Sequence, residues 1–263
     1  HPKKFKSRQI MNKKRIIARI DVKNEHAIKG IHLEGLRKVG NPNEMAKKYY
    51  NEGIDEIIFM DAVAAYYDRN SLTEIINKAC ENIFVPITVG GGIRKIKDIQ
   101  IALNAGADKI AINTQAVKDP NFLTRASEIY GSQCIVSSID AKKISDNKWE
   151  VYVDNGREQT GIDVVEWAKK VEIFGAGEIM LTSIDKEGTK RGFDLELYNV
   201  ISEVITIPVI CCGGAGKKEH IADLLSNSKL DAVAIASILH YNIESIIDLK
   251  EFLIINEKIN IRF

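Results

Sequence analysis

The 263 residues lack the usual signatures of a membrane protein, a metal-stapled domain and a disordered chain. No apolar run reaches the roughly 18 residues needed to span a bilayer. The polar, basic first ten residues lack the apolar stretch of a signal peptide. We read residues 1–10 as an extension outside the fold, with Met11 as the natural start. The four cysteines, at 80, 134, 211 and 212, form no Cys-x-x-Cys and show no metal-type spacing. Zinc-ribbon and disulfide-scaffold classes are therefore excluded, and the thiols read as small core residues in a reducing cytoplasm. Charge of one sign is also missing: 37 basic side chains face 36 acidic ones, which argues against a bulk nucleic-acid binder. An apolar share of 45% and a charged share of 28% exclude collagen, low complexity and disorder.

What is present is an alternation. Eight apolar runs occupy residues 15–21, 56–61, 87–89, 109–113, 134–140, 178–183, 209–212 and 232–237. They are nearly continuous rather than alternating, as parallel strands buried on both faces should be. Amphipathic stretches separate them, at residues 43–52, 72–82, 96–105, 121–130, 164–174, 195–204, 217–226 and 243–254. Asn43 and Ser71 are placed as helix caps, and Gly53, Gly106 and Gly175 follow helix ends. Eight strand–helix pairs predict one closed (β/α)8 TIM barrel spanning residues 11–263, with a doubly wound sheet as the competing fold. Residues 148–156, ending in Asn-Gly, predict a hairpin in the loop after the fifth strand.

The chain also repeats itself. Arg-Ile-Asp-Val at 19–22 matches Ser-Ile-Asp-Ala at 138–141, and Val-Pro-Ile-Thr-Val-Gly-Gly-Gly at 85–92 matches Ile-Pro-Val-Ile-Cys-Cys-Gly-Gly at 207–214. Residues 56–61 and 106–113 have partners at a similar shift of about 120, a period that means two homologous half-barrels rather than a solenoid.

Three sets of residues carry candidate chemistry. Gly91 and Gly92 follow the third strand, and Gly213 and Gly214 follow the seventh. Backbone that must approach a phosphate closely cannot carry side chains there. With Asn113 and Thr114 on one side, and Ala236 and Ser237 on the other, they predict two phosphate cradles across one barrel mouth. Asp21 and Asp140 are repeat-equivalent and end the first and fifth strands, which makes them a candidate acid/base pair. Arg15, Glu56, Lys109 and Glu178 begin strands, so they should ring the opposite end of the barrel and neutralise one another; spacing alone reads this ring as a stability plug. Cys211 and Cys212 have no histidine close by in sequence and read as core.

Together these motifs resemble the cyclase-subunit family of imidazole glycerol phosphate synthase, over residues 13–262. The resemblance rests on Asp21-Val-Lys, Lys29-Gly, Thr-Val-Gly-Gly-Gly-Ile at 88–93, Gly-Ala-Asp-Lys at 106–109, Ile-Asn-Thr at 112–114, Ile-Asp-Ala-Lys at 139–142, Leu-Thr-Ser-Ile-Asp at 181–185 and Gly-Gly-Ala-Gly-Lys at 213–217. It implies a lyase of histidine biosynthesis. Such an enzyme uses ammonia to convert the bisphosphorylated ribulosyl aminoimidazole carboxamide ribotide into imidazole glycerol phosphate and aminoimidazole carboxamide ribotide. The resemblance makes Asp21 and Asp140 the acid/base pair and places Lys29 on a mobile first loop over the substrate. Thr182, the two glycine pairs, Asn113, Thr114, Ala236 and Ser237 become substrate contacts. The ring of Arg15, Glu56, Lys109 and Glu178 becomes a gate for ammonia from a glutaminase subunit, in a heterodimer. No metal or cofactor is implied, nor any nucleic-acid or membrane partner.

Some residues depart from the family pattern. Ala18-Arg19-Ile20 stands where Pro-Cys-Leu is usual, the first loop reads Ile-His-Leu-Glu-Gly-Leu at 31–36, residues 60–67 differ, and Glu187 replaces a common Asp. Arg19 is expected on the strand face opposite Asp21, among the outer helices or in a salt bridge. These changes fit an alternative, a paralogous ammonia-using barrel that amidinates a nucleotide-linked or surface-polysaccharide sugar.

Overall fold

A computed structural model describes residues 13–62, 72–227 and 229–262. In chain order its elements begin with β1 (Arg15–Lys23), β2 (His26–Ile31), β3 (Glu34–Gly40), α1 (Pro42–Asn51), β4 (Glu56–Asp61), α2 (Leu72–Cys80), β5 (Ile87–Gly90), α3 (Ile96–Asn104) and β6 (Lys109–Ile112). The middle of the chain forms α4 (Thr114–Lys118), α5 (Asn121–Tyr130), β7 (Ile135–Ser145), β8 (Lys148–Val153), β9 (Glu158–Asp163), α6 (Val164–Ile173) and β10 (Glu178–Ser183). The remainder forms α7 (Leu195–Val204), β11 (Val209–Cys212), α8 (Lys218–Leu225), β12 (Ala232–Ile235), α9 (Ser237–His240) and α10 (Ile246–Ile255).

Eight strands pair in parallel and close on themselves in the order β1-β4-β5-β6-β7-β10-β11-β12, with β12 returning to β1 through Arg15 and Ala232. This is the (β/α)8 barrel that the alternation predicts. Closure leaves no barrel strand with an unpaired edge. Buried alternate residues face either the barrel interior or the helices, so the strands read as continuous apolar runs. The larger core lies between strands and helices, and a smaller one of Ile17, Ile58, Val136, Met180 and Ile210 fills the interior. Among the described residues no helix is long and apolar enough to cross a membrane.

The strand registers fix which side chains point inward. Along β1 they are Arg15, Ile17, Arg19 and Asp21, since side chains two apart share a face. The pairings carry this face to Glu56, Thr88, Lys109 and Glu178 below and to Asp140 and Thr182 above. Both carboxylate-bearing strands outrun the barrel wall. The end of β1 pairs antiparallel with β2, and the end of β7 with β8. The expected hairpin thus forms as β8 and β9, while the β2–β3 hairpin at the equivalent place in the first half was not anticipated.

Helix ends follow local chemistry with one correction. Asn41, not Asn43, caps α1: its side chain accepts from the backbone N–H groups of Asn43 and Glu44, and Pro42 takes the first helical position, where no N–H is needed. Ser71 lies outside the described residues. Gly53, Gly106 and Gly175 have the expected positive φ angles. A buried ion pair, Lys250 Nζ to Asp55 Oδ1 at 2.7 Å, fastens the last helix beneath the start of β4, and Asp55 also accepts from the backbone N–H of Ile16.

Candidate active site

Asp21 and Asp140 are the last inward-facing residues of β1 and β7 within the parallel barrel pairing, at the mouth, beyond which both strands run on into hairpins. Both are buried, but their surroundings differ. Asp21 Oδ1 accepts from Arg19 Nε at 2.9 Å, and Lys29 Nζ lies 4.0 Å from Oδ2. Burial opposes its charge, yet these cations hold its carboxyl below the usual carboxylate range. Asp140 accepts from a neutral donor, Asn113 Nδ2, at 2.9 Å. Burial pushes its carboxyl up to about 6, with Arg19 pulling down and the charge of Asp21 pushing further up.

Arg19 is therefore not on the outer face. It shares the inward face with Asp21, because the strand period is two residues, and the salt-bridge part of the expectation stands. Its Nη1 donates to Thr182 Oγ1 of β10 at 3.0 Å, so the guanidinium reaches from one half-barrel to the other. It is the largest inward side chain at this level, where the family pattern has a thiol.

The two glycine turns sit at opposite sides of this level. Gly91 and Gly92, with Asn113, Thr114 and Asp140, line an open cavity of about 510 Å³. At Gly91, φ is +95° and a Cβ would lie 2.3 Å from the Asp61 carbonyl oxygen, so no other residue fits. Gly213, Gly214, Ala236 and Ser237 line a cleft of only about 20 Å³. The β2–β3 hairpin covers it: the backbone N–H of His32 donates to the Glu187 carbonyl at 2.8 Å, and Lys29 is buried in an ion pair with the Glu187 carboxylate. The two glycine turns thus differ, one lining an open cavity and the other a covered cleft. Lys29, expected over the substrate, spends its charge on Glu187 and has its ammonium pKa lowered to about 8 by burial.

Other expected contacts are engaged by the protein. The Asn113 amide donates to Asp140 and to the Tyr152 carbonyl, and its Oδ1 is buried without a partner among the described residues. Thr114 Oγ1 accepts from the Asp154 backbone N–H, and Thr182 Oγ1 from Arg19. Cys211 and Cys212 are buried, as expected of core thiols, although Cys212 faces the covered cleft; burial raises its pKa to about 11 and keeps it a thiol. His240, on the short α9 behind Asp21, accepts or donates at Nδ1 to Tyr49 Oη, and burial lowers its pKa to about 4, so it is neutral. Among the described residues no cluster of three or more His, Cys, Asp or Glu could hold a metal.

At the other end, Arg15, Glu56, Lys109 and Glu178 close a four-membered ring. Arg15 bonds both glutamates, at 2.9 Å to Glu56, and Lys109 Nζ lies 3.2 Å from Glu56 and 2.9 Å from Glu178. Each charge has at least two opposite neighbours, Glu56 also facing Arg262 Nη1 at 3.9 Å, which makes the burial of Arg15, Glu56 and Glu178 and the half-burial of Lys109 tolerable. Burial opposes the charge of Glu56, but Arg15 and Lys109 keep it below the ordinary carboxylate range. The inward face from this ring to Arg19 is otherwise mostly apolar, apart from the buried hydroxyl of Thr88, which has no partner among the described residues.

Residues 15–244 match the family described as "Histidine biosynthesis protein". The chain is 57% identical over 210 residues, covering 80% of this chain and 99% of the other, to the protein of Legionella pneumophila named imidazole glycerol phosphate synthase subunit HisF. With the barrel, its half-repeat and the mouth described above, the match establishes that this chain belongs to the histidine biosynthesis protein family.

Proposed function

We propose that the chain is the cyclase subunit of imidazole glycerol phosphate synthase. It takes the bisphosphorylated ribulosyl aminoimidazole carboxamide ribotide and ammonia to imidazole glycerol phosphate and aminoimidazole carboxamide ribotide. The observation that carries this is the pair of buried carboxylates on repeat-related strands at the barrel mouth, between two glycine turns. Two cradles suit a flexible substrate with a phosphate at each end, and fixing both ends supplies orientation. Asp21 and Asp140 then move protons during amine addition, elimination and ring closure. The β2–β3 hairpin must lift from the smaller cradle to admit a phosphate.

Ammonia enters through the ring of Arg15, Glu56, Lys109 and Glu178 from a glutaminase subunit docked beneath the barrel. The apolar interior above the ring favours neutral ammonia over ammonium. Phe84, Ile129, Ile173 and Ile255 are exposed at helix ends and strand entrances on that same face, which suits a partner. We place the complex in the cytoplasm, where the four free thiols stay reduced.

The test is turnover of the bisphosphate with ammonium salt at alkaline pH. Product formation that disappears in Asp21→Asn, with the fold intact by circular dichroism, is the expected result. No turnover by a folded wild-type chain would refute the reading. The position of Arg19 in the mouth favours a second one, amidination of a sugar by the same ammonia-using scaffold. That reading requires weak binding of the bisphosphate and no imidazole product.

A further inference from the structure

The half-barrels are not electrostatically equivalent. The repeat that relates Asp21 to Asp140 relates Arg19 to Ser138, so one half carries a guanidinium where the other carries a small hydroxyl. We propose that Arg19 is a positioning residue that makes the acid pair asymmetric: it commits Asp21 to the carboxylate form and leaves Asp140 as the member that carries and releases a proton. The proposal deepens the cyclase reading by assigning the two roles within its acid/base pair.

The geometry supplies the argument. Arg19 is 4% exposed and is fixed at both ends, by Asp21 and by Thr182 across the barrel. A guanidinium does not deprotonate in a protein, so it favours the Asp21 carboxylate at every working pH. Of the other groups facing Asp21, Lys29 of β2, 4.0 Å away and shared with Glu187, acts in the same direction from further off, while His240 of α9 and Cys212 of β11 are neutral. Among the described residues Asp140 pairs with no cation. Asn113 donates to it from β6, Ser138 precedes it on the same face, and Asp21 and Arg19 act on it from across the mouth with opposite signs. A buried carboxyl with a neutral partner and a carboxylate nearby keeps its proton to higher pH. Asp140 also lines the open cavity, where a proton is needed, whereas Asp21 is enclosed by its cations.

The test uses the full chain labelled with carbon-13 at the aspartate carboxyls, titrated between about pH 4 and 9 by NMR. Asp21→Asn and Asp140→Asn assign the two signals. The wild type should show Asp140 titrating near 6 and Asp21 without an inflection in that range. In Arg19→Gln the Asp21 inflection should rise by at least roughly one pH unit, and Arg19→Lys should restore most of the wild-type behaviour. Should Arg19→Gln fail to fold, Arg19→Cys introduces the family's usual residue and should give the same rise. Wild-type titration of both carboxyls together, or an Asp21 signal indifferent to Arg19, would overturn the proposal. In turnover, the acid limb of the kcat/KM profile should move in Arg19→Gln and return in Arg19→Lys. The NMR measurement needs no substrate, so a chain without cyclase activity would refute the function and leave the assignment of Arg19 standing.

Discussion

Replacing Asp140 by Asn separates the role of this carboxyl in chemistry from its effect on stability. The Asp140 side chain is buried with a pKa near 6, against an ordinary value of 3.8. The folded state therefore binds this proton more tightly than the unfolded chain. Between the two values the native state holds more protons, so this group's contribution is fully present below about 4 and is lost as pH rises through 6. The shift is equivalent to about 3 kcal/mol at neutral pH and above. Asparagine keeps the shape, can accept the Asn113 bond and never ionises. The variant should match the wild type at acid pH and exceed it by about 3 kcal/mol at pH 8, or roughly 6–12 °C in the first thermal transition for a domain of this size.

The measurement is thermal unfolding of both proteins across this pH range in one ionic strength, with turnover measured in parallel. Activity should be lost at every pH. A stability difference that does not change with pH would refute the reasoning, because the linkage comes from ionisation alone. A loss of stability that grows with pH would show that the ionised carboxylate is held by a cation, contrary to the neutral partner seen here.

Other perturbations address other parts of the molecule. Lys109→Ala leaves Arg15 with both glutamates and exposes the ring; turnover driven by the glutaminase partner should fall at least about tenfold relative to turnover on free ammonium, and an equal loss in both assays would remove the gate reading. Gly214→Ala meets a φ of +112° and the Gly192 carbonyl oxygen at 2.1 Å, so thermal unfolding should show a loss of about 2 kcal/mol or more, whereas Gly53→Ala, with open space around it, should lose less. Lys250→Met leaves the buried Asp55 without its cation and should cost about 3 kcal/mol by denaturant unfolding, largely recovered by adding Asp55→Asn.

Much of this architecture is legible in the sequence because barrel strands obey two local rules, burial on both faces and a loop-helix return after each. The repeat located both carboxylates, and their strand ends located the mouth. Arg19 was misplaced although the information was present: a residue two before Asp21 on a strand must share its face. The β2–β3 hairpin escaped for a different reason. Most residues of β3 are exposed, so it has no apolar alternation to read, and it forms by extending the pairing of β1 beyond the barrel. Short α4 and α9 hold too few residues to show a helical period. The pairing of Lys29 with Glu187 joins residues 158 apart, a fact of closure rather than of local pattern.

Charge placement along the interior gives the halves their division of labour. In both charged layers the carboxylates follow the repeat and the cations break it. Glu56 and Glu178 are repeat partners, as are Asp21 and Asp140, but Arg15 and Arg19 both sit on β1, and Lys109 corresponds to the inward Ala232. Duplicated carboxylates brought together in a closed interior repel, and burial makes that repulsion expensive. The lower layer resolves it by giving each glutamate both Arg15 and Lys109 as partners. The upper layer has two cations, Arg19 and Lys29, for three carboxylates, Asp21, Asp140 and Glu187. It reaches neutrality only when one aspartate holds a proton, and the contact with Arg19 determines that this is Asp140. A fully paired layer makes a stable ring, whereas a layer one cation short retains an exchangeable proton at the barrel mouth, as the proposed proton-transfer role of Asp140 requires.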